Sequence, residues 1–199
     1  GDSFLGINVP RLRKMVRGTK GLELREIADL LRSPVHEERL LALLILIERF
    51  RKGDEKERGR IFNLYVKHLE YVNNWDLVDV SAGHIIGTYL EKRRKDLLVR
   101  LARSKNLWHR RVAMIATFPY IRKNRYAVSL RIARMLLQDD EDLIHKAVGW
   151  MLREIGKRDM PVEEEFLRKH YRKMPRTMLR YAIERFPEKK RLAYLHGRI

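Results

Sequence analysis

The stretch SPVHEERLLALLILIERFRKGD, residues 33–54, opens polar, carries Arg39 six residues in, runs through a solid apolar face and leaves on basic residues. The same plan recurs in SKNLWHRRVAMIATFPYIRKN, residues 104–124, and in DDEDLIHKAVGWMLREIGKRD, residues 139–159. A weaker copy, MPRTMLRYAIERFPEKK, spans 174–190, and VNNWDLVDVSAGHIIG, 72–87, fills the gap between the first two. The apolar run LLALLILI, 40–47, falls far short of the roughly 20 residues a membrane span needs and reads as a buried core helix.

A repeat of roughly 35 residues is the size of a helix pair that buries its apolar face by stacking on its neighbours. The spacing therefore predicts an all-α fold, an α-solenoid of HEAT-like helix pairs with a concave groove, as one repeat domain over 1–199. Proline placement agrees. Pro10, Pro34, Pro161, Pro175 and Pro187 stand where helices are expected to begin, since proline suits a first turn and damages an interior. Pro119 falls inside the run 107–123 and is expected to kink or end that helix. Alternating Val/Ile/Thr runs are missing, so no sheet is expected.

The chain carries 44 Lys and Arg against 26 Asp and Glu, a formal charge of +18, which favours a polyanionic partner, nucleic acid above all, over an idle basic surface. Arg39, Arg111 and Lys146 share one register in their copies, and Arg180 continues the row in the last. Repeated along a solenoid, they make a basic stripe suited to phosphates and give the groove its charge. At that register the stretch 72–87 has Asp79, so a carboxylate interrupts the stripe. The chain contains no cysteine, which excludes disulfides and thiolate metal sites. None of its histidines forms an HExxH or similar pair, so neither metal nor cofactor is expected. No signal peptide or membrane span is visible, and a cytoplasmic monomer is expected.

Two clusters stand out. In 145–157 Lys146, Trp150, Arg153 and Lys157 are spaced four, three and four apart and share one helical face. A tryptophan among three cations is as well read as a ligand-facing residue as a packing one. Trp108 lies near a helix start and reads as packing. In 72–87 Trp75 and Asp79 are four apart on one face. Asn73 or Asn74 is a fitting N-cap, and Asp76 suits the positive end of the helix dipole. Asp79 lies past the first turn, where a carboxylate is costly unless paired or used. A salt bridge to Arg111 would satisfy it and is compatible with a functional role.

These residues resemble the AlkD-type DNA alkylation-repair glycosylases, a family of HEAT-like repeat enzymes. The likeness runs colinearly from FLGINVPRLRKMV (4–16) through NNWDLVD (73–79), NLWHRRVAM (106–114) and IHKAVGWMLREIGK (144–157) to PRTMLRYAIERF (175–186). Each segment alone is weak; together they are specific. The resemblance implies a monofunctional glycosylase that removes N3- or N7-alkylated purines from duplex DNA and engages the damaged nucleotide through its backbone and sugar. It places Trp75, Asp79 and Trp150 in the catalytic cleft and Arg111 and Arg153 on DNA phosphates. Arg39, Lys146 and Arg180, from the shared register, and Lys157, from the face of Trp150, join them as DNA contacts. The chain departs from the family in two ways. Helices that precede the FLGxxVP segment in relatives, and that help close the cleft with an aromatic side chain, are expected to be missing here. Asn74 replaces a tryptophan commonly found beside the one matching Trp75.

The chemistry fits these residue types on its own terms. Alkylation at N3 or N7 makes the purine a cationic leaving group, and its departure leaves an oxocarbenium-like sugar. A carboxylate and electron-rich ring faces stabilise such a cation. An aspartate among arginines is expected to stay ionised, which suits that task. A HEAT-like duplex-DNA-binding protein without glycosylase activity is the alternative, and a solenoid that meets an acidic protein is a third reading. The WDxVD carboxylate separates the first from both, because a groove that only binds phosphate gains nothing from an anion.

Overall fold

A computed structural model describes residues 2–19 and 21–199; Gly1, where the expected repeat domain begins, lies outside them. The fold is all-α, with no strand among the described residues beyond a single bridge from Ser3 to Val35. The chain forms two compact units, Gly1–Arg93 and Arg94–Ile199.

In the first unit α1 (Val9–Met15) passes through a 3-10 turn (Val16–Thr19) to α2 (Leu24–Leu31), α3 (His36–Lys52), α4 (Glu55–Lys67) and α5 (Trp75–Ser81). The apolar run of α3 makes it the central helix, packed against α1, α2, α4 and α5. Leu40 through Leu46 are all buried, as the unbroken run requires of a helix covered on most sides. Residues 72–87 do not continue as one α-helix. After α5 a π-helical turn spans Gly83–Gly87, closed by Gly87 N–H donating to Ala82 O at 2.9 Å. This wider turn shifts the face on which the following side chains emerge.

In the second unit α6 (Asp96–Ala102), α7 (Leu107–Ile115), α8 (Phe118–Ile121), α9 (Ala127–Met135), α10 (Asp142–Gly156), α11 (Met160–His170), α12 (Arg176–Ala182) and α13 (Glu188–Leu195) follow in order. α10 is the central helix here, packed against α7, α11 and α12. Pro119 has the expected effect: α7 stops at Ile115, and Pro119 sits in the first turn of α8. Pro10 and Pro161 occupy first turns of α1 and α11, and Pro175 and Pro187 are N-caps of α12 and α13. Stacked helix pairs recur inside each unit, α2 on α3 in the first and α6 on α7 in the second.

α10 approaches α12 closely because Gly149 has no side chain. A Cβ there would stand 2.5 Å from both Met178 O and Tyr181 Cβ. The glycine of the KAxGWxLRE segment is thus a packing requirement, and it fixes α10 immediately before Trp150.

Candidate functional site

In the first unit the site is built on α5. Asn74 caps the helix, its side-chain oxygen accepting from Trp75 N–H at 2.7 Å. Leu77 and Val78 are fully buried and fix the rotation of the helix. On the other side Trp75 stands 55% exposed, a large apolar surface left in water, and Asp79, one turn on, is half-buried. Asp76 has more than a helix-start role. Its Oδ1 accepts from Leu77 N–H at 2.8 Å, and its Oδ2 lies 2.7 Å from His36 Nε2. The His36 ring is buried, with Phe4 stacked on it at 4.9 Å between ring centroids. The first turn of α5 is therefore pinned to the start of α3.

The FLGINVP segment is pinned there too. Gly6 adopts φ 72°, a left-handed conformation that glycine takes without strain. The turn brings the N–H groups of Leu5, Gly6 and Ile7 onto the carboxylate of Glu37, at 3.0, 2.7 and 3.3 Å. These backbone donors, Leu5 foremost, hold the Glu37 carboxyl below its ordinary range. Asn8 then caps α1 by accepting from Arg11 N–H at 3.1 Å.

In the second unit Trp150 is half-buried, its ring 5.9 Å from that of Phe118 and tilted by 45°. The cations that share its face each have a carboxylate beside them. Lys146 pairs with Asp142 at 2.7 Å, Lys157 with Glu154 at 2.5 Å, and Arg153 with Glu184. The hydrogen bond from Lys146 holds the Asp142 carboxyl below its usual range. The surroundings of Trp150 are thus a set of ion pairs rather than bare positive charge.

The expected basic stripe is corrected by burial. Arg39 is only 3% exposed; its guanidinium donates to Ser33 O at 2.9 Å and to Asp2 at 2.5 Å. It ties the chain entry to α3 through these bonds. Arg111 is 5% exposed and donates to Leu143 O. Lys146 is half-buried and Arg180 exposed. At two of the four expected places, Arg39 and Arg111, the side chain is buried. Arg110 and His109 point away from the proposed row, Arg110 to Asp139 at 2.6 Å and His109 to Ser104 at 3.1 Å.

With this geometry in place, the comparisons decide the family. The model of the family described as DNA alkylation repair enzyme matches residues 1–186. The chain belongs to the DNA alkylation repair enzyme family. Among solved structures, a predicted DNA alkylation repair enzyme from Enterococcus faecalis is similar with a TM-score of 0.72 and 17% identity, covering 94% of this chain and 90% of that one. AlkD2 from Streptococcus mutans is similar at 0.64 and 18%, covering 92% of each chain. A Streptococcus mutans UA159 protein, smu.31, is similar at 0.61 and 18%, covering 90% and 93%. At such identities the likeness is one of fold. None of the curated proteins compared with the chain matches it.

For a member of the DNA alkylation repair family, the first unit carries groups that sequence reading passed over. Arg13 and Arg17 line a cavity with Lys52, Val80 and His84. Their four-residue spacing in RLRKMVRG was the available signal. The Glu37 clasp and the His36–Asp76 bond left no signal in the sequence, because each joins residues at least 30 apart. Among the described residues no group of three or more His, Asp or Glu is placed to hold a metal ion, and no helix is long and apolar enough to cross a membrane.

Proposed function

We propose that this repair-family chain is a monofunctional DNA glycosylase that excises N3- and N7-alkylated purines from duplex DNA. The observation that carries the reading is the face of α5. Trp75 is left 55% exposed on a helix whose opposite side is fully buried, and Asp79 lies one turn along the same face. A stable helix gains nothing from a tryptophan in water; a site that must cover a sugar does. Within a chain of charge +18 the lysines and arginines attract the duplex, and the carboxylate meets the one positive charge that the reaction creates.

The alkylated purine already carries a positive charge. Its C1′–N bond breaks with the electron pair leaving on the base, so no acid is needed. The sugar becomes oxocarbenium-like, Asp79 stabilises it and orients a water, and the water adds to C1′ and loses its proton. Products are the free alkylpurine and an abasic site. Trp75 packs on the deoxyribose through its electron-rich face. Trp150, backed by Phe118, offers a second such ring, and Arg153, Lys146, Lys157 and the exposed Arg180 take phosphates. The paired cations can do so by exchanging a carboxylate for a phosphate. We take the chain as one repeat domain that acts as a monomer in the cytoplasm.

The test is release of 7-methylguanine or 3-methyladenine from alkylated duplex DNA. Wild type is expected to release base. Asp79→Asn should lose about 10²–10³-fold in turnover while still binding the duplex, the range for removing one electrostatic stabiliser. Wild type and variant equally inert, both binding duplex, would make the chain a DNA-binding member without glycosylase activity.

A further inference from the structure

The cavity enclosed by α1, α3 and the end of α5 lies outside every role assigned so far. We infer that it is a binding site for a DNA backbone phosphate. The inference deepens the glycosylase reading and rests on it for the identity of the ligand.

The cavity measures about 280 Å³. That lies at or below the small end of sites that enclose whole small molecules, and it suits a single group such as a phosphodiester. Leu44 and Val80 form apolar wall, so the charged groups at its edge are set against a surface of low polarisability. Arg13 of α1 and Arg17 of the following 3-10 turn stand four residues apart, and both are exposed and line it. No hydrogen bond or ion pair to a side chain is found for either among the described residues. They differ in this from Arg39, Lys146, Arg153 and Lys157, each of which is paired.

The one carboxylate in the lining does not offset them. Glu48 is matched by Arg51 at 3.0 Å and Lys52 at 2.7 Å, and these bonds, Arg51 first, hold its carboxyl down to about 2. Lys52 lines the cavity as well, and the exposed His84 adds an imidazole from the π turn. Two guanidiniums that line one cavity, neither bonded to a carboxylate among the described residues, repel each other, and an anion between them removes that cost.

Position selects the source of the anion. Val80, in the wall, is bonded directly to Asp79. The cavity thus lies beside the proposed catalytic carboxylate on the same helix, where a phosphate flanking the sugar is the nearest anion a bound strand offers. The i→i+5 bond of the π turn sets where His84 emerges and so helps to shape the mouth of the cavity.

The experiment uses the full chain as wild type, as Arg13→Ala/Arg17→Ala and as Arg13→Lys/Arg17→Lys. Affinity for unmodified duplex is followed from 50 to 200 mM salt. The alanine pair should weaken binding at low salt by about tenfold and flatten the slope of log K against log salt by about 0.9 for one lost phosphate contact. The lysine pair should keep the slope, and all three proteins should melt together because the side chains are exposed. An alanine pair with wild-type affinity and slope overturns the site. So does inorganic phosphate that stabilises wild type but not the alanine pair while duplex binding is unchanged, since the anion would then be free phosphate. Base release from alkylated duplex by wild type is read separately. No release with the slope change intact removes the glycosylase reading and leaves the phosphate site; release with no slope change does the reverse.

Discussion

Glu184, after α12, holds the guanidinium of Arg153 on α10 in an ion pair, while Arg153 Nε is buried without a hydrogen-bond partner. The pair is partly desolvated on the arginine side, 17% exposed, and open on the glutamate side, 47%. Glu184 therefore competes with any phosphate that Arg153 would take. Replacing it by glutamine removes the competing charge and one local repulsion to DNA. Glu184→Gln should tighten binding to unmodified duplex about two- to fivefold at low salt, the scale of a half-exposed pair, with the gain fading as salt rises. Weaker binding by this variant, in a fluorescence anisotropy titration, would mean that the glutamate orients Arg153 rather than restrains it.

Gly149 tests the packing that places Trp150. Gly149→Ala puts a methyl group 2.5 Å from the backbone oxygen of Met178 and from Tyr181 Cβ, and backbone cannot step aside as a side-chain end can. The helices must separate, at a cost of about 1–3 kcal/mol. Chemical denaturation should show the loss. If Trp150 contributes to lesion excision, base release should fall further than the unfolded fraction explains. An alanine variant as stable as wild type would show that α10 and α12 can separate at no cost.

The helical plan was legible because it rests on local signals. Repeated apolar faces, prolines at first turns and asparagine caps each act within a few residues, and α3, α8 and α10 lie where those signals put them. Trp75 and Asp79 share a face because four-residue spacing requires it. What sequence could not give was the direction of long cations. Arg39 and Lys146 occupy equivalent places, yet one is buried against Ser33 O and Asp2 and the other is half-buried beside Asp142. That choice depends on which neighbours supply acceptors, and Asp2 is 37 residues from Arg39. The π turn after α5 was equally hidden, since Gly83 and Gly87 permit it without demanding it.

The Glu37 clasp predicts a measurable acid sensitivity at the chain's start. Its carboxyl is held below the unfolded value by the N–H groups of Leu5, Gly6 and Ile7, so the stabilisation is present above the unfolded pKa and is lost as pH falls through the folded one. Glu37→Gln should mimic the acid state at neutral pH. Hydrogen exchange at the amides of Leu5 and Gly6 should quicken on the order of tenfold, as expected for losing charge-assisted bonds. Exchange in α10 should not change. Unaltered protection at Gly6 would mean that the turn is held by its own geometry rather than by the carboxylate.

Glu163 on α11 acts in the opposite direction. It is 1% exposed, its Oε1 has no hydrogen-bond partner, and the space it fills exists because residue 156 is glycine: a Cβ there would stand 1.7 Å from Glu163 Oε2. Burial pushes its carboxyl up to about 9, against the pull of the nearby Arg153 charge. The unfolded chain releases this proton near 4.5, while the folded chain keeps it. The folded state is therefore favoured below the unfolded pKa, and that advantage is lost as pH rises towards 9, by up to about 1.4 kcal/mol per pH unit. Glu163→Gln keeps the shape and cannot ionise. At pH 5 it should match wild type or fall slightly below it in urea denaturation. At pH 8 it should be more stable, by an amount on the order of 2–4 kcal/mol. Parallel stability curves for the two proteins between these pH values would show that Glu163 is already ionised in the fold, with Arg153 as its counterion.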